Sequence, residues 1–346
     1  MSTGPLLLNT LYLTTPETQL YKEGETVVVR IEREKRLQVP IHHLQSIVCL
    51  GPVYLSPELM HLCLERDVSV SFLTDRGRFL GRLEGLGHSG AWLRINQHRA
   101  HADEASSLKL AKSIVEGKLA NQRHVLQRAA REAESSTAAD LSQAAAKIQL
   151  VQNQVDRMEN HDQTRGCEGE AAAIYFDQFR TMVRKQQQAF PWHGRNRRPP
   201  KDAFNALLSF SYALLLADCL SALQIVGLDP ALGFLHAFRP GRPALALDLM
   251  ECLRPLVADR LALTLINNQQ VNGNGFRITE SGAVEMDDDT RKTVITAYQK
   301  RKAETIQHPL LDQEVAWGLV PILEARLLAR TLRGDLEAFP PFHPRG

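Results

Sequence analysis

Leu108-Lys109-Leu110-Ala111-Lys112-Ser113-Ile114-Val115-Glu116-Gly117-Lys118-Leu119, residues 108–119, marks the change of texture that decides the fold. Leu108, Ala111, Val115 and Leu119, continued by Leu126, recur at the spacing that lines side chains along one face of a helix. Upstream the pattern differs. Residues 6–96 carry short runs that are β-branched or alternate apolar with polar, separated by turn residues, as in a small sheet domain. The runs are Leu6–Leu13, Thr26–Ile31, Leu37–Ile41, Ser46–Leu50, Val68–Leu73, Arg78–Leu83 and Ala91–Ile95, punctuated by Gly24, Gly51, Asp75-Arg76-Gly77 and Gly85/Gly87. One helix interrupts them at Ser56-Pro57-Glu58, where a capping hydroxyl precedes a first-turn proline and an acid. Downstream, helices are expected to the end, broken by 268–289, where Phe276–Thr279 and Ala283–Met286 read as a hairpin around Ser281-Gly282. The expected architecture is α+β: a β-rich N-terminal domain over 1–98 and a larger, mainly α-helical domain over 99–346, with the boundary between 97 and 104.

Composition supports two domains with a sizeable core, since 44% of the 346 residues are hydrophobic and 23% charged. Lys and Arg number 41 against 39 Asp and Glu, a formal charge of +2, so any basic surface must come from local clustering. The five cysteines are odd in number and form no C-x-x-C pair, which argues against a disulfide framework and structural zinc. Cys63 and Cys219 sit among Leu and Ala as small apolar residues. Met1 to Leu13 lacks the basic region and cleavage site of a signal peptide. The apolar stretch Ala203 to Ala217 reads as a buried core helix rather than a membrane span. A cytoplasmic protein without membrane contact is expected.

Charge clusters in one place. From Gln178 to Lys201 the chain carries Arg180, Arg184, Lys185, Arg195, Arg197, Arg198 and Lys201 with no acid, interleaved with Phe190, Trp192 and His193. Such a loop suits a phosphate backbone with a stacked base, or a solvated loop whose aromatics pack on their own domain.

Three acids and a histidine carry the candidate chemistry. Glu168, in Arg165-Gly166-Cys167-Glu168-Gly169-Glu170, is expected near a helix start on the stripe of Ala172, Tyr175, Phe179 and Met182. A carboxylate there is costly unless paired or bound to a cation, although a helix-start acid is also favoured by the macrodipole. Asp248 and Glu251, flanked by Leu and Ala, stand at i and i+3 on one helical face. Hard cations such as Mg²⁺ or Mn²⁺ take such oxygen ligands. His236, in Gly233-Phe234-Leu235-His236, returns toward Asp248 through Arg239-Pro240-Gly241-Arg242-Pro243; it reads as a metal ligand, a proton carrier, or a satisfied core histidine. Asn205, with Ser209 and Tyr212 near its face, either orients a carboxylate or belongs to a buried polar stripe. Lys118 and Arg123 either contact DNA or solvate their helix. Glu285 to Asp289 reads as a capped helix start rather than a further metal site.

Taken together, Gly117-Lys118-Leu119-Ala120-Asn121-Gln122-Arg123, Arg165-Gly166-Cys167-Glu168-Gly169, Arg198-Pro199-Pro200-Lys201-Asp202 with Asn205-Ala206-Leu207-Leu208-Ser209-Phe210, Gly233-Phe234-Leu235-His236, Arg239 to Pro255 and Leu332-Arg333-Gly334-Asp335 resemble CRISPR-associated protein 1 over nearly the whole chain, closest to type I-C members. The resemblance implies an endonuclease and integrase that inserts captured DNA fragments into a CRISPR repeat. It implies catalytic and metal-holding roles for Glu168, His236 and Asp248, with Glu251 as a further acid near Mg²⁺ or Mn²⁺. It implies phosphate contacts at Arg239 and Arg242, a homodimer, and a complex with CRISPR-associated protein 2. Glu324 and Phe339 depart from the family pattern, where glutamine and tyrosine are usual. Two rivals are a non-catalytic DNA-binding scaffold and a hydrolase of small phosphoesters.

Overall fold

The computed structural model describes residues 10–13, 15–44, 46–74, 79–83, 91–196 and 199–344. The chain divides between His88 and Ser89 into two compact units, a β-rich one followed by a mainly helical one.

The first unit contains strands β1 (Thr10–Leu13), β2 (Thr18–Glu23), β3 (Thr26–Ile31), β4 (Glu34–Pro40), β5 (Ser46–Leu50), β6 (Val53–Leu55), β7 (Ser69–Leu73) and β8 (Phe79–Leu83), and helix α1 (Pro57–Glu65). They form two four-stranded sheets, ordered β1-β5-β7-β8 and β4-β3-β2-β6. β5 pairs parallel with β1 and β7, whereas β2, β3 and β4 form an antiparallel meander. Leu20, Val27, Ile47, Leu59 and Val70 anchor the core. The α1 cap forms as its sequence suggests, with Ser56 Oγ accepting from Leu59 N at 3.2 Å. β2 was not foreseen because Thr18-Gln19-Leu20-Tyr21-Lys22-Glu23 is mostly polar; Thr18 and Leu20 alone point fully inward. Leu6–Asn9 and Arg78, expected in strands, lie outside the described residues.

The second unit contains α2 (Ala91–Ala102), α3 (Glu104–Arg131), α4 (Ser135–Val155), α5 (His161–Asp177), the single turn α6 (Phe179–Met182), α7 (Ala203–Val226), α8 (Ala244–Glu251), α9 (Arg260–Asn267), α10 (Asp288–Ala303) and α11 (Val320–Arg333). Two hairpins complete it: β9 (Phe276–Ile278) with β10 (Val284–Met286), and β11 (Thr305–His308) with β12 (Gln313–Ala316). The first matches the hairpin expected around Ser281-Gly282, with Gly282 at a left-handed φ of 75°. Asp287 caps α10 by accepting from Thr290 N at 2.8 Å, so the acidic run there is a helix start.

Ala91–Ile95 is helix, not strand. Leu93 and Gln97 are its buried residues, one helical turn apart, while Trp92 is 71% exposed. This helix therefore belongs to the second unit, ahead of the boundary expected at 97–104. α7 extends past Ala217 to Val226, making it long and apolar enough by length and composition to cross a membrane; 67% of its most apolar window is buried inside the protein, as a core helix requires. Immediately after α8 the backbone widens into a π-turn, Pro255–Asp259, a local distortion that often accompanies functional sites.

Candidate active site

Four segments of the helical unit converge. α3 supplies Lys118, α5 supplies Glu168, the loop before α8 supplies His236, and α8 supplies Asp248 and Glu251. α5 begins at His161 rather than at Arg165, capped by Asn160, which accepts from Gln163 N at 2.9 Å. Glu168 thus lies about two turns into the helix, too deep for the macrodipole to explain it. Thr164, Cys167, Ala171 and Tyr175 form the buried stripe, and Glu168 sits beside it with its side chain 26% exposed.

Asp248 is fully buried and serves as the hub of the Gly233–His236 loop. Its Oδ2 accepts from Phe234 N at 2.5 Å and Leu235 N at 3.0 Å, and its Oδ1 from His236 N at 2.9 Å and His236 Nδ1 at 2.6 Å. Four N–H donors, three of them backbone, compensate this one carboxylate. They also set the imidazole: with Nδ1 donating to Asp248, neutral His236 presents a lone pair at Nε2. Gly233 is required for this packing, because a Cβ there would stand 2.8 Å from Asp248 Oδ2 and 2.7 Å from the Ala244 backbone. α2 holds the loop from behind, with His101 Nδ1 2.7 Å from Gly233 O and Gln97 donating to Leu232 O at 3.1 Å.

Glu251, one turn along α8, faces cations. Its Oε1 lies 2.8 Å from Arg254 Nη1 and 3.7 Å from His236 Nε2, and its Oε2 lies 2.7 Å from Lys118 Nζ. Burial alone would raise this carboxyl; Arg254, Lys118 and His236 outweigh burial and hold it at about 2. The Lys118 ammonium also contacts Glu168 Oε1, so one cation is shared by two carboxylates. Glu251 Oε2 has this charge contact but no aligned hydrogen bond, an unusual state for a buried oxygen.

Among the described residues no three His, Cys, Asp or Glu donors form a ready metal cage. The donor set nevertheless fits a divalent cation: Glu168 and Glu251 already share a cation, and an imidazole nitrogen stands beside the second carboxylate.

Behind Glu251 runs a connected set of residues, of which the sequence reading named Arg195, Tyr175 and Tyr212 but gave no role to Arg254 and Asp259. Arg254 and Arg195 both lie over the Tyr212 ring, at 5.1 and 5.2 Å from its centroid. Tyr212 and Tyr175 donate to Asp259, at 2.5 and 3.1 Å. Burial pushes Asp259 up to about 6 despite both phenols. The signal lay in two charged residues, Arg254 and Asp259, set in an otherwise apolar run.

The basic loop meets the site on one side. A cavity of about 530 Å³ is lined by Glu168, Ala172, Arg180, Trp192, His193 and Arg195, among others. Trp192 packs against Phe179 and Phe204, each with ring centroids 5.0 Å away, so it belongs to an aromatic cluster of its own domain. Arg195 is turned inward, donating to Asn205 Oδ1 at 2.6 Å and Ser209 Oγ at 3.2 Å. Asn205 is satisfied by that loop, donating to Gly194 O at 2.9 Å and Asp202 Oδ2 at 2.7 Å; it pins the loop and touches none of the candidate metal-holding acids.

Two of the expected DNA contacts are placed elsewhere. Lys118 is buried between acids, where ion pairing repays desolvation, and Arg123 donates to Gln152 on α4 at 3.1 Å. Arg239 is exposed on a tight turn in which Arg242 N donates to Arg239 O at 3.0 Å and Gly241 takes a φ of 71°. Arg197 and Arg198 lie outside the described residues.

The family described as CRISPR associated protein Cas1 matches residues 11–300 of this chain. The chain is 48% identical over 338 residues to the CRISPR-associated endonuclease Cas1 1 of Moorella thermoacetica, a match covering 97% of this chain and 98% of that protein. Its fold resembles that of a Cas1 protein from Thermotoga maritima, with a TM-score of 0.83 at 23% identity over 96% of this chain and 99% of the other. A casposase bound to integration product shares the fold with a TM-score of 0.81 at 23% identity, over 96% and 93% of the two chains.

Proposed function

Because the chain belongs to the Cas1 family, we propose that it is a metal-dependent DNA endonuclease and integrase that inserts short foreign DNA fragments as new spacers into a CRISPR array. One observation carries this reading: Glu168 and Glu251 share a single cation beside an imidazole whose Nε2 is freed by Asp248.

Glu168, Glu251 and His236 Nε2 would hold Mg²⁺ or Mn²⁺, and Asp248 would act through His236 as a positioning residue. An ion held by these residues would supply Lewis-acid polarisation of the scissile phosphate and stabilisation of charge on the leaving oxygen. In the reaction, the 3′-hydroxyl oxygen of the captured fragment bonds to a repeat phosphorus while the bond from that phosphorus to the repeat's own 3′-oxygen breaks. The attacking hydroxyl loses a proton and the departing 3′-oxygen gains one. Water replaces the 3′-hydroxyl in the nuclease mode.

Arg180 and Arg195, on the cavity beside Glu168, would hold phosphates near the reacting bond. Arg239 and Arg242 would hold them on the turn after His236, joined by Arg197 and Arg198 of the basic loop. The same reading includes a homodimer, assembly with CRISPR-associated protein 2 through the β-rich unit, a cytoplasmic location and type I-C affinity.

A strand-transfer assay with Mn²⁺ tests the proposal. Glu251→Gln is expected to reduce product yield by about 10²–10³-fold while leaving DNA binding in EDTA within a factor of about two of the parent. An unchanged yield would identify a non-catalytic scaffold.

A further inference from the structure

A second cluster of charge in the helical unit is compensated far less well than the first. Arg128 on α3, Arg260 at the start of α9 and Arg301 on α10 line a cavity of about 400 Å³ together with His124, Glu304 and Gln307. Arg128 and Arg260 also line an adjoining cavity of about 230 Å³, where Arg184 and Asn267 join them. None of Lys118, Glu168, His236, Asp248 or Glu251 lines either cavity.

Most of these charges have partners. Arg128 lies 3.4 Å from Glu132 Oε1 and Arg184 3.2 Å from Glu132 Oε2. Arg301 pairs with Glu304, donates to Leu256 O at 3.3 Å and lies 4.5 Å from the Trp317 ring centroid. Arg260 differs. Among the described residues its guanidinium makes no hydrogen bond or ion pair, although it is half-buried. Burial pushes it down to about 10, aided by Arg301 and Arg128 and only partly opposed by Glu304 and Glu132. His124 is lowered for related reasons, by burial and then by Arg260, Arg128 and Arg131.

A half-buried guanidinium kept among like charges, with donors that solvent reaches and no acid among the described residues uses, is open to an incoming oxyanion. A planar fork of N–H donors matches the oxygens of a phosphate, and the neighbouring arginines supply the field that attracts it. The two cavities share Arg128 and Arg260 in their lining, so both open onto the same two guanidinium groups. We propose that this groove, centred on Arg260, is a phosphate-binding site for a polyanion, separate from the metal-holding cluster. Nucleic-acid backbone and free polyphosphate share the required chemistry. Binding needs no metal and no turnover.

The test uses the full chain in EDTA, so its outcome is independent of the catalytic reading. Pyrophosphate titrated at constant ionic strength should raise the Tm of the parent saturably, as a ligand of the native state does. Arg260→Gln should abolish that rise while being no less stable than the parent in chloride. Arg128→Gln, at a position 52% exposed and safe for folding, should weaken the rise. With a short DNA duplex, Arg260→Gln should bind about fivefold more weakly and lower the slope of log affinity against log salt by about one. Loss of the pyrophosphate effect with unchanged DNA affinity identifies a free polyphosphate as the ligand and supports the site. No pyrophosphate stabilisation of the parent together with no DNA defect in either variant overturns it.

Discussion

The cluster around α8 and the region where the C-terminal segment lies against α11 each bury a glutamate, and they resolve its desolvation in opposite ways. Glu251 is 2% exposed and held at about 2, because Arg254, Lys118 and His236 outweigh its burial. Glu324 is fully buried; it accepts from Phe342 N at 2.8 Å, its titratable neighbour His308, 4.0 Å away, is itself lowered by burial, and burial pushes Glu324 up to about 8. A neutral carboxyl is close in shape to an amide, which fits glutamate at a position where the resemblance led to an expectation of glutamine. Asp248, in the first region, shows a third arrangement: it stays compensated by N–H donors alone. Buried charge is thus maintained where cations or several N–H donors surround the carboxylate, and given up where a single N–H faces it.

Removing the shared cation should have the largest effect. Lys118→Met leaves Glu168 and Glu251 facing each other, so the metal-free protein should lose about 3–5 kcal/mol of stability in denaturant unfolding. Excess Mn²⁺ should restore part of it. Equal stability of variant and parent without metal would break the comparison on its charged side.

The neutral side is sharpened by pH. Between pH 4.5 and about 8 the unfolded chain releases the Glu324 proton while the folded chain keeps it, so stability falls as pH rises through that window and levels off above it. Glu324→Gln should match the parent near pH 4.5 and exceed it at pH 8 by on the order of 2–4 kcal/mol. Asp259, raised to about 6, adds a slope of the same sign at lower pH, which the variant should retain. Parallel stability curves would remove the contrast.

Asp248→Asn should have the smallest effect of the three, about 10–100-fold in Mn²⁺ affinity, because it loosens the orientation of the ligand His236 without removing a ligand. Isothermal titration reads it; a complete loss of binding would place Asp248 on the metal instead.

How far the sequence foretold this contrast depends on the length of the side chain concerned. Asp248 and Glu251 were readable as one helical face because i and i+3 must meet. His236 was readable because the Pro-Gly turn sends the chain back. Lys118 was not: its position among Ala111, Val115 and Gln122 did mark an inward face, but a long side chain permits both an inward and a solvent-seeking reading. Glu324 stood out against the expected glutamine, yet its full burial, which raises its carboxyl, could not be read from the sequence. In the fold, the β9–β10 hairpin and the capped starts of α1 and α10 were legible from turn and cap chemistry, whereas the β11–β12 hairpin was not foreseen and β2 carries too few apolar residues to declare itself. Ala91–Ile95 is too short for its period to separate strand from helix.

Diffraction from crystals soaked in Mn²⁺, using the anomalous signal of the metal, tests the central claim most directly. The account predicts one ion bound by Glu168, His236 Nε2 and Glu251, with the Lys118 ammonium displaced and Asp248 still hydrogen-bonded to the Phe234–His236 backbone. An ion bound through Asp248 without Glu251, or no ion at this cluster at saturating Mn²⁺, would contradict it.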